Sequence, residues 1–280
     1  MVHLPLPNAI MSYRQRSFPP ELVDMIIDIL HDDPETLKSC SVVWKSGIPR
    51  TRRYLFKTVV FRSPRHLESW KRIFPNPAQS PACYTRSLLV NCTKSLTAKD
   101  AEEGGWVQSF ANVERLEVWN CGIWRGDEIQ PCFTPLYNFS PTVKSLRIFF
   151  DTCPLKRVFE FVGSFPSLED LDIQSDAVSD EEGALSQHSP FPPLTGTLRL
   201  CCDLSELVIR RLSDLPACLR FRKMVWRSRD FPEEQVMAFL KRCSNTLQYI
   251  HIGIYNITRK LRLLLYRTKY LTWIPSYCTR

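Results

Sequence analysis

Six triplets, apolar but for one threonine, recur along this chain at nearly constant spacing: Val113/Leu116/Val118, Val143/Leu146/Ile148, Leu168/Leu171/Ile173, Thr195/Leu198/Leu200, Phe221/Met224/Trp226 and Leu247/Ile250/Ile252. Their central residues, 116, 146, 171, 198, 224 and 250, lie 30, 25, 27, 26 and 26 residues apart. In five of the six the last two residues are separated by a polar or charged one, Val225 being the exception, and that is the period of a strand buried on one face. An earlier unit centres on Leu88 and Val90, and Thr58 to Phe61 opens the series. Helix-like segments fall between the strands at His66 to Phe74, Leu155 to Val162, Asp203 to Leu212 and Glu233 to Cys243, the last introduced by Pro232. Strand and helix alternating at this period predict a solenoid, with parallel strands stacked on a concave face and helices on the convex one.

The first copy runs Val113-x-x-Leu116-x-Val118-x-x-Cys121-x-Ile123, and so resembles the leucine-rich repeat family, whose template is L-x-x-L-x-L-x-x-N/C-x-L. The resemblance covers roughly residues 85 to 257, as a degenerate array. Its ninth position reads Cys121, Asp151, Asp176 and Asp203, then breaks at Arg229 and Tyr255.

The first sixty residues follow another pattern. Pro20 suits a first helical turn, where its missing N–H costs nothing, and Leu22, Ile26, Ile29 and Leu30 recur at helical spacing with Asp24 and Asp28 on another side. Asp33 and Pro34 read as N-cap and first residue of a second helix, lined by Leu37, Cys40 and Val43 or Trp44. Pro49 to Phe56 makes a third, rich in arginine. Three helices this short cannot bury all their apolar surface among themselves.

The stretch FPPELVDMIIDILHDDPETLKSCSVVWKSGIPRTRRYLF, residues 18 to 56, resembles the F-box family in its Phe-Pro opening, amphipathic first helix, Pro-led second helix with Cys-Ser-x-Val, and Arg-rich third helix. One position departs: Gly47 stands where that family has a tryptophan before the third helix, and Trp44 comes three residues earlier. Either Trp44 fills the same space from another angle, or the third helix packs loosely. The resemblance implies docking on the adaptor subunit of an SCF-type cullin ubiquitin ligase, and through it on cullin, by Pro19, Pro20, Leu22, Ile26, Leu37, Val42 and Val43.

The expected fold class is therefore α/β, a three-helix F-box-like segment followed by an irregular leucine-rich repeat solenoid. The expected division is a flexible leader at 1–17, the helical segment at 18–57, the solenoid at 58–257 and a basic tail at 258–280. Strand alternation sends Arg115, Glu117, Trp119, Arg147, Phe149, Asp170, Asp172, Arg199, Lys223, Arg227, Tyr249 and His251 onto the concave face. Exposed Trp, Tyr and Arg dominate the energetics of protein interfaces, so this is the expected site for a target protein.

Composition narrows the remaining classes. A formal net charge of +8, from 37 Lys and Arg against 29 Asp and Glu, invites nucleic acid, but the charges are segregated. Glu169, Asp170, Asp172, Asp176, Asp180, Glu181 and Glu182 are acidic while Arg210 to Arg229 and Arg259 to Arg280 are basic, an arrangement suited to a protein partner. Nucleic acid is not the expected ligand. Eleven cysteines without a secretory signal point to a reducing, intracellular compartment, cytoplasmic or nuclear. No C-x-x-C or H-x-x-x-H occurs, so no metal or cofactor is expected. The apolar run Leu261 to Leu271 is broken by Arg262, Arg267 and Lys269, so no membrane span is expected either. Without G-x-S-x-G, H-E-x-x-H or a Walker GKS/T motif, and with His3, His31, His66, His188 and His251 scattered, the chain reads as a binding protein and not an enzyme. Its expected function is to recruit substrates to the ligase; the alternative is a repeat scaffold, protein-binding or nucleic-acid-associated, with no ligase role.

Overall fold

The computed structural model describes residues 18–91, 105–119, 134–139, 141–179, 194–202, 205–214, 219–228 and 233–254. The expected leader, the basic tail, His3, His188 and the side chains at the ninth template position lie outside the described residues. The chain divides into two compact units, Met1–Leu55 and Phe56–Arg280.

The first unit contains helices α1 (Pro20–Ile29), α2 (Pro34–Val43) and α3 (Ile48–Leu55), with a 3-10 turn at Lys45–Gly47 leading into α3. Asp33 caps α2 by accepting from the Thr36 N–H at 3.1 Å and the Thr36 hydroxyl at 2.6 Å. The small core is Val23, Ile27 and Leu37, with Leu30, Trp44, Tyr54 and Leu55 packed against it. Two expectations change here. The core face of α1 is Val23 and Ile27, while Leu22 and Ile29 face solvent and Ile26 is half-buried. Leu37, expected at a docking surface, is instead sealed in the core. Seven of the nine positions from Leu22 to Leu30 are apolar, which hides any period; what selects the face is α3 with the turn before it, Gly47 lying against Val23 and Ile27 and Arg50 pairing with the two aspartates.

Gly47 explains the departure noted above. A Cβ there would stand 2.7 Å from Ile27 Cδ1 and 3.3 Å from Val23 Cγ1, so the turn before α3 lies directly on α1 and leaves no room for a large side chain. Trp44 packs on the same core, with the Phe18 ring stacked at 6.4 Å from its own. The third helix is not loose: the buried Thr51 hydroxyl donates to the Gly47 carbonyl at 3.0 Å, and Arg50 and Tyr54 reach α1.

The second unit is α/β, with one eight-stranded parallel sheet whose spatial order is the chain order. The strands are β1 (Thr58–Phe61), β2 (Ser87–Asn91), β3 (Arg115–Trp119), β4 (Ser145–Pro154), β5 (Asp170–Ser179), β6 (Thr197–Cys202), β7 (Lys223–Ser228) and β8 (Tyr249–Ile254). Helices α4 (Pro64–Ile73), α5 (Gly105–Gln108), α6 (Leu155–Gly163), α7 (Ser205–Asp214) and α8 (Glu233–Cys243) lie between them, with 3-10 turns such as Thr134–Phe139. Successive parallel strands need such crossovers, because a hairpin would reverse the chain.

The spacing seen in the sequence becomes register. Val59, Leu88, Leu116, Leu146, Leu171, Leu198, Met224 and Ile250 pair in one continuous row. Phe61, Val90, Val118, Ile148, Ile173, Leu200 and Trp226 form the next inward row, with which Ile252 is in register. Helix residues such as Leu67, Val158, Val162, Val208, Leu212, Val236 and Phe239 join them in one buried cluster. Six of the seven strand entries are tied to the preceding one by a single carbonyl accepting two N–H groups: Lys57 from Arg86 and Ser87, Arg86 from Glu114 and Arg115, Glu114 from Lys144 and Ser145, Lys144 from Glu169 and Asp170, Gly196 from Arg222 and Lys223, and Arg222 from Gln248 and Tyr249. Parallel sheets are usually covered on both sides; here the alternating burial of β2 and β3 marks one face under the helices and one left open.

Candidate functional site

The open face of the sheet gathers the residues expected on the concave side. Glu117, Arg147, Asp172 and Arg199 pair consecutively across β3 to β6, alternating in sign. Arg147 Nε donates to Asp172 Oδ2 at 2.7 Å, Arg199 Nη1 donates to the same oxygen at 3.3 Å, and Arg147 Nη1 lies 3.6 Å from Glu117 Oε2. Gln174 donates to the other Asp172 oxygen at 3.1 Å. With its carboxylate so enclosed, Asp172 is only 7% exposed, and it acts as the fixed anion that orients two arginines instead of a group offered to a ligand.

Beside this ladder sits an aromatic pair. The rings of Trp119 and Phe149 are 5.0 Å apart, the Arg147 guanidinium lies 5.5 Å from the Phe149 ring, and the Trp119 indole donates to Glu117 at 2.6 Å. All of these side chains are half-buried and held by neighbours, so the surface is preorganised, which lowers the entropy cost of binding.

Toward β8 the charge balance changes. Arg199, Lys223 and Arg227 occupy open-face positions of β6 and β7, and those strands carry no carboxylate there. Lys223 lies over the Tyr249 ring at 4.9 Å. Burial, and then the positive charges of Arg227 and Lys223, hold the His251 imidazole below its ordinary range, and its Nε2 is buried without a hydrogen-bond partner among the described residues. Burial first, then Asp172, pushes the Cys201 thiol up, which keeps it protonated and a poor nucleophile.

Asp170 leaves the expected site. Where the other strand entries use a main-chain carbonyl for both N–H groups, Glu169 accepts only from Gly196, and the Asp170 carboxylate takes the Thr197 N–H at 2.5 Å. It is a structural staple between β5 and β6. Arg115 remains exposed at the edge of the face. Gln174, which supports Asp172, was absent from the expectation because a neutral side chain on a strand carries no signal of its own.

The second candidate surface is on the helical unit. Leu22 and Met25 are exposed, Ile29 is 77% exposed, and Val42 and Val43 at the end of α2 are open to solvent, Val42 at 83%. Pro19 and Pro20 are exposed at the start of α1. The polar side of α1 is closed in a different way: Arg50 bridges Asp24 and Asp28, and the Tyr54 hydroxyl donates to Asp28 at 2.7 Å. Those bonds, from Arg50 and then Tyr54, hold the Asp28 carboxyl down to about 2 from its ordinary 3.8. A carboxyl depressed on folding adds stability above its unfolded pKa and loses it as pH falls toward the folded value. The expected result is a contribution present above pH about 4 and lost between about 4 and 2. The wild-type minus Asp28→Asn difference in urea midpoint, followed by circular dichroism across that range, should shrink toward acid.

Among the described residues no three His, Cys, Asp or Glu side chains are grouped to hold a metal ion. No described helix is long and apolar enough to cross a membrane. An open cleft of about 430 Å³ lined by Asn76, Pro77, Ala78, Ser80, Cys83, Gln108 and Ser109 holds no charged side chain to orient a substrate. Searches of family models, curated proteins and solved structures give no significant match to this chain.

Proposed function

We propose that the chain is a substrate-recruiting subunit of an SCF-type cullin ubiquitin ligase. In this reading the helical unit docks on the ligase adaptor, the open sheet face holds a target protein, and transfer is carried out by partner proteins through proximity. The observation that carries it is the solvent-facing apolar stripe Leu22, Met25 and Ile29 on a helix whose other faces are already used, one by the Val23/Ile27 core and one by Arg50 and Tyr54. An α-helix with a second apolar stripe in water is a surface awaiting a partner. The stripe falls in the stretch that resembles an F-box, and its order of features supports the adaptor as that partner.

Co-expression with a ligase adaptor subunit, followed by size exclusion, tests the reading. Wild type is expected to co-elute, and Leu22→Asp/Ile29→Asp is expected to lose the complex while keeping its circular dichroism spectrum, because both side chains lie outside the core. A folded wild-type chain that forms no complex overturns the proposal.

A further inference from the structure

On the open face, one line of side chains crosses the sheet without meeting a carboxylate: Trp119 and Phe149 on β3 and β4, then Gln174, Cys201 and Arg227 on β5 to β7. It begins in an aromatic pair and ends in a cation that has no acidic partner among the described residues. Arg199 and Lys223 flank that end, Arg199 pointing to Asp172 only at 3.3 Å and Lys223 resting on a ring and not on an anion. The acids of the face, Glu117, Asp170 and Asp172, are each engaged, by Trp119 and Arg147, by the Thr197 N–H, and by Arg147, Arg199 and Gln174. What the surface leaves unmatched among the described residues is therefore positive charge on β7, at Lys223 and Arg227, beside an Arg199 that shares the Asp172 carboxylate with Arg147, and apolar ring surface at β3 and β4.

We infer that the target segment bound by this face carries a large apolar residue and a pair of acidic residues about four positions apart in extended chain. The spacing follows from the sheet. From the midpoint of β3 and β4 to that of β6 and β7 is three strand separations, about 14 Å at ~4.8 Å each, and an extended peptide covers that in about four residues. The apolar side chain would lie on Trp119 and Phe149, where two held rings offer contact area at little entropic cost. The carboxylates would meet Arg199 and Arg227, whose planar forks suit bidentate recognition, with Lys223 as a third charge. After burial, the positive charges of Arg227 and Lys223 lower the His251 imidazole at the same place. This inference rests on the open face being the target-binding surface, and it adds the chemistry of the target.

Fluorescence anisotropy on the full chain, without adaptor, provides the test. The probes are labelled Gly-Leu-Ser-Gly-Ser-Glu-Glu-Ser-Gly, the reverse-order peptide, the version with both Glu replaced by Gln, and labelled oligothymidylate. Binding of at least one acidic peptide is expected at low salt, weakening as salt rises, with a loss of about tenfold or more in Arg199→Glu/Arg227→Glu and about tenfold in the Gln peptide. Arg65→Glu/Arg72→Glu, on the exposed side of α4, is expected to change it less than twofold. Equal loss in both double variants, equal binding of the Gln peptide, or no binding of either acidic peptide at millimolar concentration overturns the inference. Oligothymidylate bound more tightly than the peptides through Arg199 and Arg227 also overturns it, and assigns the cations to nucleic acid. Adaptor co-elution is read on the helical unit, so failure here leaves that result standing, and failure there leaves this one.

Discussion

Trp226→Ala is expected to lower the stability of the sheet unit by about 3–5 kcal/mol, the usual cost of truncating a fully buried aromatic. Trp226 is fully buried in the inward row between Leu200 and Ile252. Truncating Lys223 or Arg227 on the open face of the same strand should cost far less, because both are exposed. The loss should also be local. In a sheet whose strands neighbour only the preceding and following ones, stability is close to a sum of unit and nearest-neighbour terms. Hydrogen exchange should therefore show β6, β7 and β8 losing protection first while β1 to β4 keep theirs, and Leu89→Ala, on the open face of β2, should leave the pattern unchanged. Uniform loss along the whole sheet would mean that it unfolds as one block and that the repeat description is mechanically wrong.

The repeat was legible because its physics is periodic. Every strand centre read from the sequence falls in one register row, from Leu88 to Ile250, since a buried row admits only apolar side chains and a one-residue slip would turn each strand inside out. Helix α8 begins and ends at Glu233 and Cys243 as read, and α6 runs one residue beyond the expected Val162. The open face was legible as a set of positions but not as a set of roles. Asp170 and Asp172 are alike in sequence, both acidic and both on outward positions of β5. Only the third dimension separates them, one replacing a carbonyl at the strand entry and the other sealed between two arginines. Helix α1 was the least legible element. With Leu22, Val23, Met25, Ile26, Ile27, Ile29 and Leu30 all apolar, no hydrophobic period singles out a core face, and that choice is made by α3 and by the glycine that precedes it.

That glycine supports the second large effect. Gly47→Trp, which supplies the residue usual in the family this stretch resembles, is expected to destabilise the helical unit by about 3 kcal/mol or more, at or above the top of the range for overpacking. The β-carbon alone would meet Ile27 Cδ1 at 2.7 Å and Val23 Cγ1 at 3.3 Å. The first of these is the end of a side chain and can turn away, so Gly47→Ala should cost only about 1 kcal/mol. An indole cannot be accommodated this way, because Trp44 already packs on the same core, and a unit built on Val23, Ile27 and Leu37 has little stability to lose. Pairing the change with Trp44→Ala separates two causes. If Trp44 occupies the space of the family's tryptophan, the double variant should recover much of the helicity lost in Gly47→Trp, read as ellipticity and urea midpoint. If instead the close contact of the turn with α1 is what the structure requires, removal of Trp44 leaves Ile27 and Val23 in the way, and the double variant should be less stable than either single one. The 2.7 Å approach to Ile27 against 3.7 Å to Trp44 Cβ favours the second outcome: the backbone's nearness to α1 admits only a small residue here, and a tryptophan at 44 does not by itself stand in for one at 47.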